Sequence, residues 1–410
     1  MERGFSPLDE ELELGPGAFS PRLVEGIVLL GVQMPFERVP QTLDHFTRVE
    51  VGVDTARRLT ERAGAALEAA EREEAKELER EWVPVAGPAV QQLSVDGAMV
   101  PLVRGEWAEA KTLAIGTIRL GRGAEGEPRT TDLSYFSRLT DAAEFTELAR
   151  AEIHRRGTDT ADTVCAVADG AEWLQGFVDC MRPDAIRILD FPHAAEHLSR
   201  AAQATFGPGT AEASEWLGRQ LHELKHGDPD VVLDALRALK KDRAPCPVEA
   251  EAVCGGVVSY LEKRREQIAY ARFQEEGFPI GSGAVESANK LVVEARLKGS
   301  GMHWERSNVN PMLALRCALC SDRWKESWNR IWQGLRRTQA ENRRARRLRR
   351  HPPPPLEVVR PGAAREDPSP SQIPPRKKGT MVDGHPTTDH PWRKQALSRP
   401  ARVLASSAKL

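Results

Sequence analysis

Hydrophobic and polar positions change their spacing along this chain, and the changes divide it into segments. In residues 20–85 apolar side chains recur every three to four positions, the spacing of amphipathic helices. Ser20-Pro21 is typical of an N-cap followed by proline at the first helical position. A short helix is therefore predicted from Pro21, a second over 39–46, and a third from Asp54 into a highly charged stretch.

These three helices with tight connections are compatible with a helix-turn-helix unit that binds DNA. They are equally compatible with a plain helical bundle or a dimerisation element. Arg57, Arg58 and Arg62 on the third helix favour DNA and are the candidate contacts. Residues 1–19 are turn-rich and are predicted to be an irregular leader.

From about residue 90 the pattern becomes that of short strands and the helices between them. The two later apolar runs are short and continuous, as expected of buried parallel strands joined by a helix. The predicted elements are strands at 91–102 (with a turn at Asp96-Gly97), 111–118 and 130–139, a helix at 141–156, a strand at 163–168, a helix at 171–181 and a strand at 185–189.

Three strands, a helix, a strand, a helix and a strand is the element order of the ribonuclease-H-like fold. Residues 194–276 then have helical periodicity throughout, and a Gly-Ser-Gly turn at 281–283 precedes another helix. The predicted fold class is therefore α/β: a ribonuclease-H-like core formed by 86–193 and 277–334, interrupted by an all-helical insertion at 194–276.

Charge is distributed unevenly, although the net charge is only −2. Residues 335–350 contain eight arginines and a single acid, Glu341, which is a pattern suited to phosphate contacts. The rest of the 335–410 segment is proline-rich and is predicted to be disordered. The candidate phosphate contacts in the arginine run are Arg343, Arg344, Arg346 and Arg347.

Neither the hydropathy nor the amino-terminal sequence is typical of a membrane or exported protein. Mean hydropathy is −0.47, and no apolar run is long enough to cross a bilayer. Met1 is followed by Glu2, Arg3 and an acidic stretch, which resembles neither a signal peptide nor a transit peptide. A cytoplasmic location is expected.

Three acidic residues fall where the predicted core can bring them together. Asp96 lies on the first strand, Asp169 ends the fourth, and Glu286 begins a helix after a glycine-rich turn. Carboxylates are the ligands that Mg²⁺ prefers, and three of them can hold two ions for phosphoryl transfer. Taken singly, each has a structural alternative, because Asp-Gly is a common turn signal and an acid is favoured in the first turn of a helix.

Asp190 and His193 form a second candidate pair at the end of the last predicted strand. An imidazole there can orient water, transfer a proton or contact a phosphate. The alternative is a helix cap followed by a surface histidine. His197, one turn further on, is expected to have no catalytic role.

Residues from about 90 to 324 resemble the DDE transposases of bacterial insertion sequences, specifically the ISKra-type group, and more loosely the Mutator-like and hAT transposases. The matching strings include SVDGAMVPL, VADGAEWL, ILDFPHAAEHL, FPIGSGAVESANK and RLKGSGMHW. The resemblance implies an acidic triad of Asp96, Asp169 and Glu286 that binds two Mg²⁺ or Mn²⁺ ions. It also implies that Asp190 and His193 are the family's Asp-x-x-His motif.

The resemblance implies DNA as the partner, both as terminal inverted repeats and as target, and a homo-oligomer that pairs two DNA ends. Arg296 and Lys298 are then candidate phosphate contacts, or else part of a solvated helix face. Trp216 is a candidate for stacking on an unpaired base, or else a core residue. A nuclease that cuts without joining, and a non-enzymatic DNA-binding protein derived from a transposase, remain the alternative functions.

Overall fold

The computed structural model describes residues 19–119, 128–240 and 245–350, together with the pairs 381–382 and 385–386. The predictions of an irregular leader and a disordered proline-rich tail fall almost entirely outside these residues. The described residues up to 349 belong to one compact unit, and those beyond it belong to a second, in which β6 (Met381–Val382) pairs with β7 (His385–Pro386).

The first helices in the described part of the chain are the three predicted ones. The Ser20 hydroxyl accepts a hydrogen bond from the Leu23 amide and so caps the first of them, as its sequence predicts. The first and third helices share one core cluster with the sheet and with later helices, and the second packs against these two in a smaller cluster, so the region is part of the larger unit. The helices are α1 (Pro21–Gln33), α2 (Val39–Thr47) and α3 (Val53–Arg80).

Five strands form a single mixed sheet in the order β3-β2-β1-β4-β5. β1, β2 and β3 are antiparallel neighbours, whereas β4 is parallel to β1 and β5 is parallel to β4. The predicted strands and the helices between them are confirmed. They are β1 (Val90–Pro101), β2 (Trp107–Arg119), β3 (Arg129–Arg138), α4 (Ala142–Arg155), β4 (Thr163–Ala168), α5 (Glu172–Met181) and β5 (Ile186–Leu189).

The predicted turn at Asp96-Gly97 is wrong. β1 continues through both residues, with Asp96 paired to Thr112 and Gly97 paired to Lys111 on β2. The chain reverses instead near Arg104, which has a left-handed backbone (φ 66°). The pairing of β1 with β2 runs without a break before and after Asp96-Gly97. Its hydrogen bonds satisfy the backbone groups of this segment and outweigh the turn tendency of the Asp-Gly dipeptide.

The sheet is covered on both faces, and β4 shows how the side chains divide between them. Val164, Ala166 and Ala168 pack with α4 and α5, whereas Cys165 and Val167 pack with the helices that follow β5. This alternation is the two-residue period of a strand. The helices that follow β5 are α6 (Phe191–Phe206), α7 (Ala211–His226), α8 (Pro229–Arg237), α9 (Pro247–Glu262) and α10 (Tyr270–Glu275).

The chain then returns to the sheet through a short helix, α11 (Gly283–Ala288), which continues as a π-helical segment, Asn289–Glu294, and a last turn, Ala295–Leu297. Two longer helices follow, α12 (Arg306–Cys320) and α13 (Trp324–Arg350), and α13 carries the arginine run. In the described ranges no helix is both long and apolar enough to cross a membrane.

Candidate active site

The two candidate aspartates lie side by side at one end of the central parallel strand pair. β1 and β4 pair in parallel as far as Leu93 and Ala166. Asp96 and Asp169 each lie three residues beyond these partners, so they occupy the same level of the sheet. The expectation that the core can bring these two residues together is therefore confirmed for Asp96 and Asp169.

Asp96 is held by hydrogen bonds to both of its carboxylate oxygens. Its Oδ1 accepts from the Gly97 amide at 2.7 Å, and its Oδ2 accepts from the Asn289 side-chain amide at 2.8 Å. Burial raises the pKa of Asp96, and the negative charges of Asp169 and Glu286 raise it further. The ionised form of Asp96 is thus destabilised by its surroundings, which a bound cation would relieve.

Asp169 lies in a tight loop between β4 and α5. Its Oδ1 accepts a hydrogen bond from the Ala171 amide at 2.9 Å. Gly170 follows with φ +81°, and a Cβ there would lie 2.6 Å from the Tyr260 hydroxyl, so the position requires glycine. α9 closes over this loop: the Tyr260 hydroxyl donates to the Asp169 carbonyl at 2.8 Å, and Arg264 donates to the Gly170 carbonyl at 2.7 Å.

Glu286 projects from the first turns of α11 and is exposed at its position. Its Oε1 accepts a hydrogen bond from the Ser282 hydroxyl at 3.2 Å. Three residues later α11 widens into the π-helical segment, whose first residue is the buried Asn289. Segments of this kind are frequent at functional sites, and here it carries the side chain that contacts Asp96.

These residues meet at one cavity of about 160 Å³, which brings together positions nearly 200 residues apart. All five candidate catalytic residues line it. As the side chains are placed, no three His, Cys, Asp or Glu groups within the described ranges are close enough to coordinate one ion. The lining residues are Val95, Asp96, Asp169, Asp190, Pro192, His193, Glu196, Ser282, Val285 and Glu286.

The donor set nevertheless fits a hard divalent cation. Asp96, Asp169 and Glu286 supply carboxylate oxygens, which Mg²⁺ and Mn²⁺ prefer. Burial is the main cause of the raised pKa of Asp96, and repulsion by Asp169 and Glu286 adds to it.

Asp190 is buried and fully engaged in positioning the backbone. Its Oδ2 accepts from the His193 amide and so caps α6, as the structural alternative predicts. Its Oδ1 accepts from the Ser282 amide at 2.7 Å, which ties the start of α6 to the loop before Glu286. Burial raises the pKa of Asp190, and these two amide contacts oppose the rise. Asp190 thus joins the two segments that carry His193 and Glu286.

His193 faces the cavity, and behind it lies His197. The Nε2 atoms of the two imidazoles are 3.2 Å apart. The His197 ring stacks on the Tyr260 ring, with centroids 4.0 Å apart and planes at 10°. His197 is the immediate neighbour of His193 but does not line the cavity. That it has no catalytic role stays a prediction.

Two candidate DNA contacts are buried, and the structure contradicts those assignments. Arg296 is 2% exposed, donates to the Gly31 carbonyl and lies between the Phe36 and Trp304 rings. Burial lowers its pKa to about 10. Trp216 is 7% exposed and packs in the core of α6–α10, so it cannot stack on a base in this conformation.

The remaining candidate contacts are at or near the surface. Lys298 is paired with Glu294 at 2.7 Å. Arg57 is paired with Asp54 and Glu61 on its own helix. The exposed candidates are Arg57, Arg58 and Arg62 on α3 and Arg343, Arg344 and Arg346 on α13; the side chain of Arg347 lies outside what the structure describes.

The sequence reasoning missed Asn289, Ser282 and Tyr260. Asn289 and Ser282 flank Glu286 in the string GSGAVESAN, so a polar residue one turn on either side of a candidate acid was an available signal. Tyr260 had no such signal, because it comes from a helix 91 residues away from the carbonyl that it contacts.

Comparison with known proteins adds a weak structural likeness. No family model and no curated protein matches this chain. Among solved structures, it is similar to a chain in the Drosophila P element transposase strand transfer complex, with a TM-score of 0.36 and 9% sequence identity. The match covers 77% of this chain and 96% of that chain.

Proposed function

We propose that this protein is a DNA transposase of the DDE type, which cleaves DNA at transposon ends and joins the freed 3′ hydroxyl to target DNA. The observation that carries the proposal is the convergence of Asp96, Asp169 and Glu286 from three separate elements on one cavity. The sheet order β3-β2-β1-β4-β5, with β1 and β4 parallel, supports a ribonuclease-H-like core. In this proposal α6–α10 are the helical insertion.

Asp96, Asp169 and Glu286 would hold two Mg²⁺ or Mn²⁺ ions. Bound there, the ions supply activation of the attacking oxygen and stabilisation of the leaving oxygen in an in-line displacement at phosphorus. Around them, Asn289 orients Asp96 and Ser282 orients Glu286 through the hydrogen bonds described above. Tyr260 and Arg264 fix the backbone of the loop that carries Asp169.

The surface arginines are proposed to bind DNA in two ways. Arg57, Arg58 and Arg62 lie at exposed positions of α3, and the amino-terminal region is proposed to recognise the transposon ends. The exposed arginines of α13 contact phosphates without reading sequence. Because two ends must be paired for transposition, the active form is proposed to be a homo-oligomer.

The test uses the full chain and linear DNA that carries the encoding gene with its native flanks. We expect cleavage at the element's ends and joining to a second DNA in Mg²⁺ or Mn²⁺, and neither in excess chelator. Ca²⁺ should support binding without turnover, since it takes a looser coordination geometry.

Three isosteric variants, Asp96→Asn, Asp169→Asn and Glu286→Gln, serve as matched controls. Each should lose cleavage while keeping its affinity for DNA, because metal ligands act as a unit and contribute little to phosphate contacts. Cleavage without joining would favour a nuclease. Sequence-specific binding without any cleavage would favour a DNA-binding protein derived from a transposase.

A further inference from the structure

Two histidines one turn apart on α6 are close enough to share a proton, and their surroundings decide which of them carries it. The Nε2 atoms of His193 and His197 are 3.2 Å apart, and their rings are inclined at 73°. Two neutral imidazoles can form a hydrogen bond only if one Nε2 is protonated and the other is not. The direction of this bond therefore fixes the tautomer of both residues.

Arg200 sets that direction. Its Nη2 lies 2.6 Å from the Nδ1 of His197 and 3.3 Å from the Nε2, so the much shorter contact is to Nδ1. A guanidinium group has donors and no acceptor, so the nearer nitrogen, Nδ1 of His197, is assigned as the acceptor. Neutral His197 then carries its proton on Nε2 and donates it to the Nε2 of His193.

The surroundings of His197 keep it neutral. It is 8% exposed and stacks on the Tyr260 ring. Burial, followed by the positive charge of Arg200, lowers its pKa to about 4. At neutral pH the donor in this pair is thus an uncharged imidazole.

We infer that His197 is a positioning residue, which together with Arg200 holds His193 in the tautomer that carries its proton on Nδ1. Because the Nε2 of His193 accepts from His197, the proton of neutral His193 is on Nδ1. This nitrogen faces Glu196, whose Oε2 lies 3.9 Å away. His193 and Glu196 both line the cavity. His193 thereby presents a hydrogen-bond donor there whether or not it is charged.

The catalytic consequence rests on the proposed function, whereas the tautomer does not. The Nδ1–H of His193 beside three carboxylates can donate to a phosphate oxygen. The Nε2 of His193 accepts from His197 and is therefore not available to abstract a proton. His193 would then contact the scissile phosphate as a donor in both protonation states. This differs from a role that depends on the charge of the imidazole.

The tautomer can be measured without DNA, by nitrogen-15 NMR of the histidine-labelled full chain at pH 8, well above the ordinary imidazole pKa of about 6.5. His193→Asn identifies the His193 signals. We expect His193 to show the Nδ1-protonated pattern. An Nε2-protonated His193 in the wild-type protein would overturn the inference.

Three variants test whether His197 and Arg200 set the tautomer of His193. His197→Phe keeps a ring against Tyr260 but removes the donor, so His193 should become a mixture of tautomers. His197→Gln places an amide N–H near the lost Nε2 and should restore the Nδ1-protonated form. Arg200→Met changes an exposed residue, which keeps the test valid if His197→Phe does not fold, and should also give a mixture. If His197→Phe and Arg200→Met both keep the wild-type tautomer, His197 does not position His193.

Cleavage gives an independent second measurement. Loss of one net hydrogen bond, about 1 kcal/mol, should slow single-turnover cleavage by roughly 5- to 10-fold in His197→Phe, with unchanged DNA affinity and with recovery in His197→Gln. A tautomer change in a protein that never cleaves DNA would keep the inference and reject the proposed function. An unchanged cleavage rate despite a changed tautomer would reject the catalytic consequence alone.

Discussion

At the scale of single residues, the side chains that hold the candidate acids matter as much as the acids themselves. Asn289 donates to Asp96, while its own Oδ1 is buried and has no hydrogen-bond partner among the described residues. A buried amide with a hydrogen bond to only one of its two polar groups lowers the stability of the fold, so its presence calls for an explanation. Its purpose here is the orientation of Asp96.

We therefore predict that Asn289→Ala lowers cleavage by about 10- to 100-fold, the usual cost of removing a residue that orients a metal ligand. Single-turnover cleavage at several Mg²⁺ concentrations measures it, and high Mg²⁺ should recover part of the loss. Asn308→Ala is the matched control, because Asn308 makes the same kind of contact to Glu61, 2.9 Å away and outside the cavity. A similar loss of cleavage in both variants would contradict the role of Asn289.

The raised pKa of Asp96 predicts how its removal changes stability with pH. A carboxyl whose pKa is higher in the folded than in the unfolded protein stabilises the fold at low pH, and this stability is lost as the pH rises through the folded pKa. Without divalent metal, Asp96→Asn should therefore raise the Tm at pH 7, and the gain should shrink towards pH 4. Asn289 can turn its amide to present its unpartnered Oδ1 to the new side chain.

Thermal unfolding from pH 4 to pH 8 is the measurement. Asp132→Asn is the control of opposite sign, because hydrogen bonding to Arg119 lowers the pKa of this exposed carboxyl. It should give no gain in Tm at pH 7. Mg²⁺ should raise the Tm of the wild type more than that of Asp96→Asn, since a ligand stabilises the state that binds it. A lower Tm for Asp96→Asn at pH 7 would contradict this account.

At the scale of elements, α9 contacts both the loop that carries Asp169 and the helix that carries His193. Tyr260 joins these two parts of the site: its hydroxyl contacts the Asp169 carbonyl, and its ring supports His197. The packing of the helices α6–α10 thus sets the position of the loop that carries Asp169.

We predict that Tyr260→Phe, which keeps the ring stack and removes only the hydroxyl, slows cleavage by roughly 5- to 10-fold, as expected for the loss of about 1 kcal/mol. Tyr270→Phe is the matched control: its hydroxyl donates to the Leu189 carbonyl at the same 2.8 Å, at the end of the adjacent strand. That variant should lose about 1 kcal/mol of stability and keep its rate of cleavage per folded molecule. Equal rates in the two variants would remove Tyr260 from the site.

At the scale of the whole molecule, the amino-terminal helices belong to the core. Val24, Val28 and Leu67 pack in the same cluster as Val100 of β1 and Leu313 of α12. Deleting residues 1–82 would expose this cluster, so a truncated protein is not a clean test of DNA recognition. Substitutions of exposed arginines are the appropriate test.

We predict that the triple alanine variant at Arg57, Arg58 and Arg62 loses discrimination between end DNA and random DNA. The triple variant at Arg343, Arg344 and Arg346 should weaken binding to both by similar factors. It should also lower the slope of log affinity against log salt by up to about 3, near 0.9 for each phosphate that the protein no longer neutralises. Binding titrations at several salt concentrations measure both effects, and unchanged discrimination in the first variant would argue against recognition by α3.

The sequence by itself determined the elements of this protein and the general place of its acids. Strand alternation, helical periodicity and the Ser20 cap depend on neighbours within a few residues, and the structure confirms the elements that they predict. The order of strands and helices indicated a ribonuclease-H-like sheet, whereas the parallel pairing of β1 and β4, which brings Asp96 and Asp169 to one level, is seen only in the structure.

Only the tertiary structure decided which polar residues serve the site and which serve the core. In the structure β1 continues through Asp96-Gly97, and Arg296 is buried between two aromatic rings. Asn289 contacts Asp96, although the two residues are 193 positions apart in the sequence. The tertiary structure also set His197 against His193 and Tyr260. The physical reason is that burial and hydrogen bonding of a polar group depend on what surrounds it in space, and those surroundings come from segments far apart in the chain.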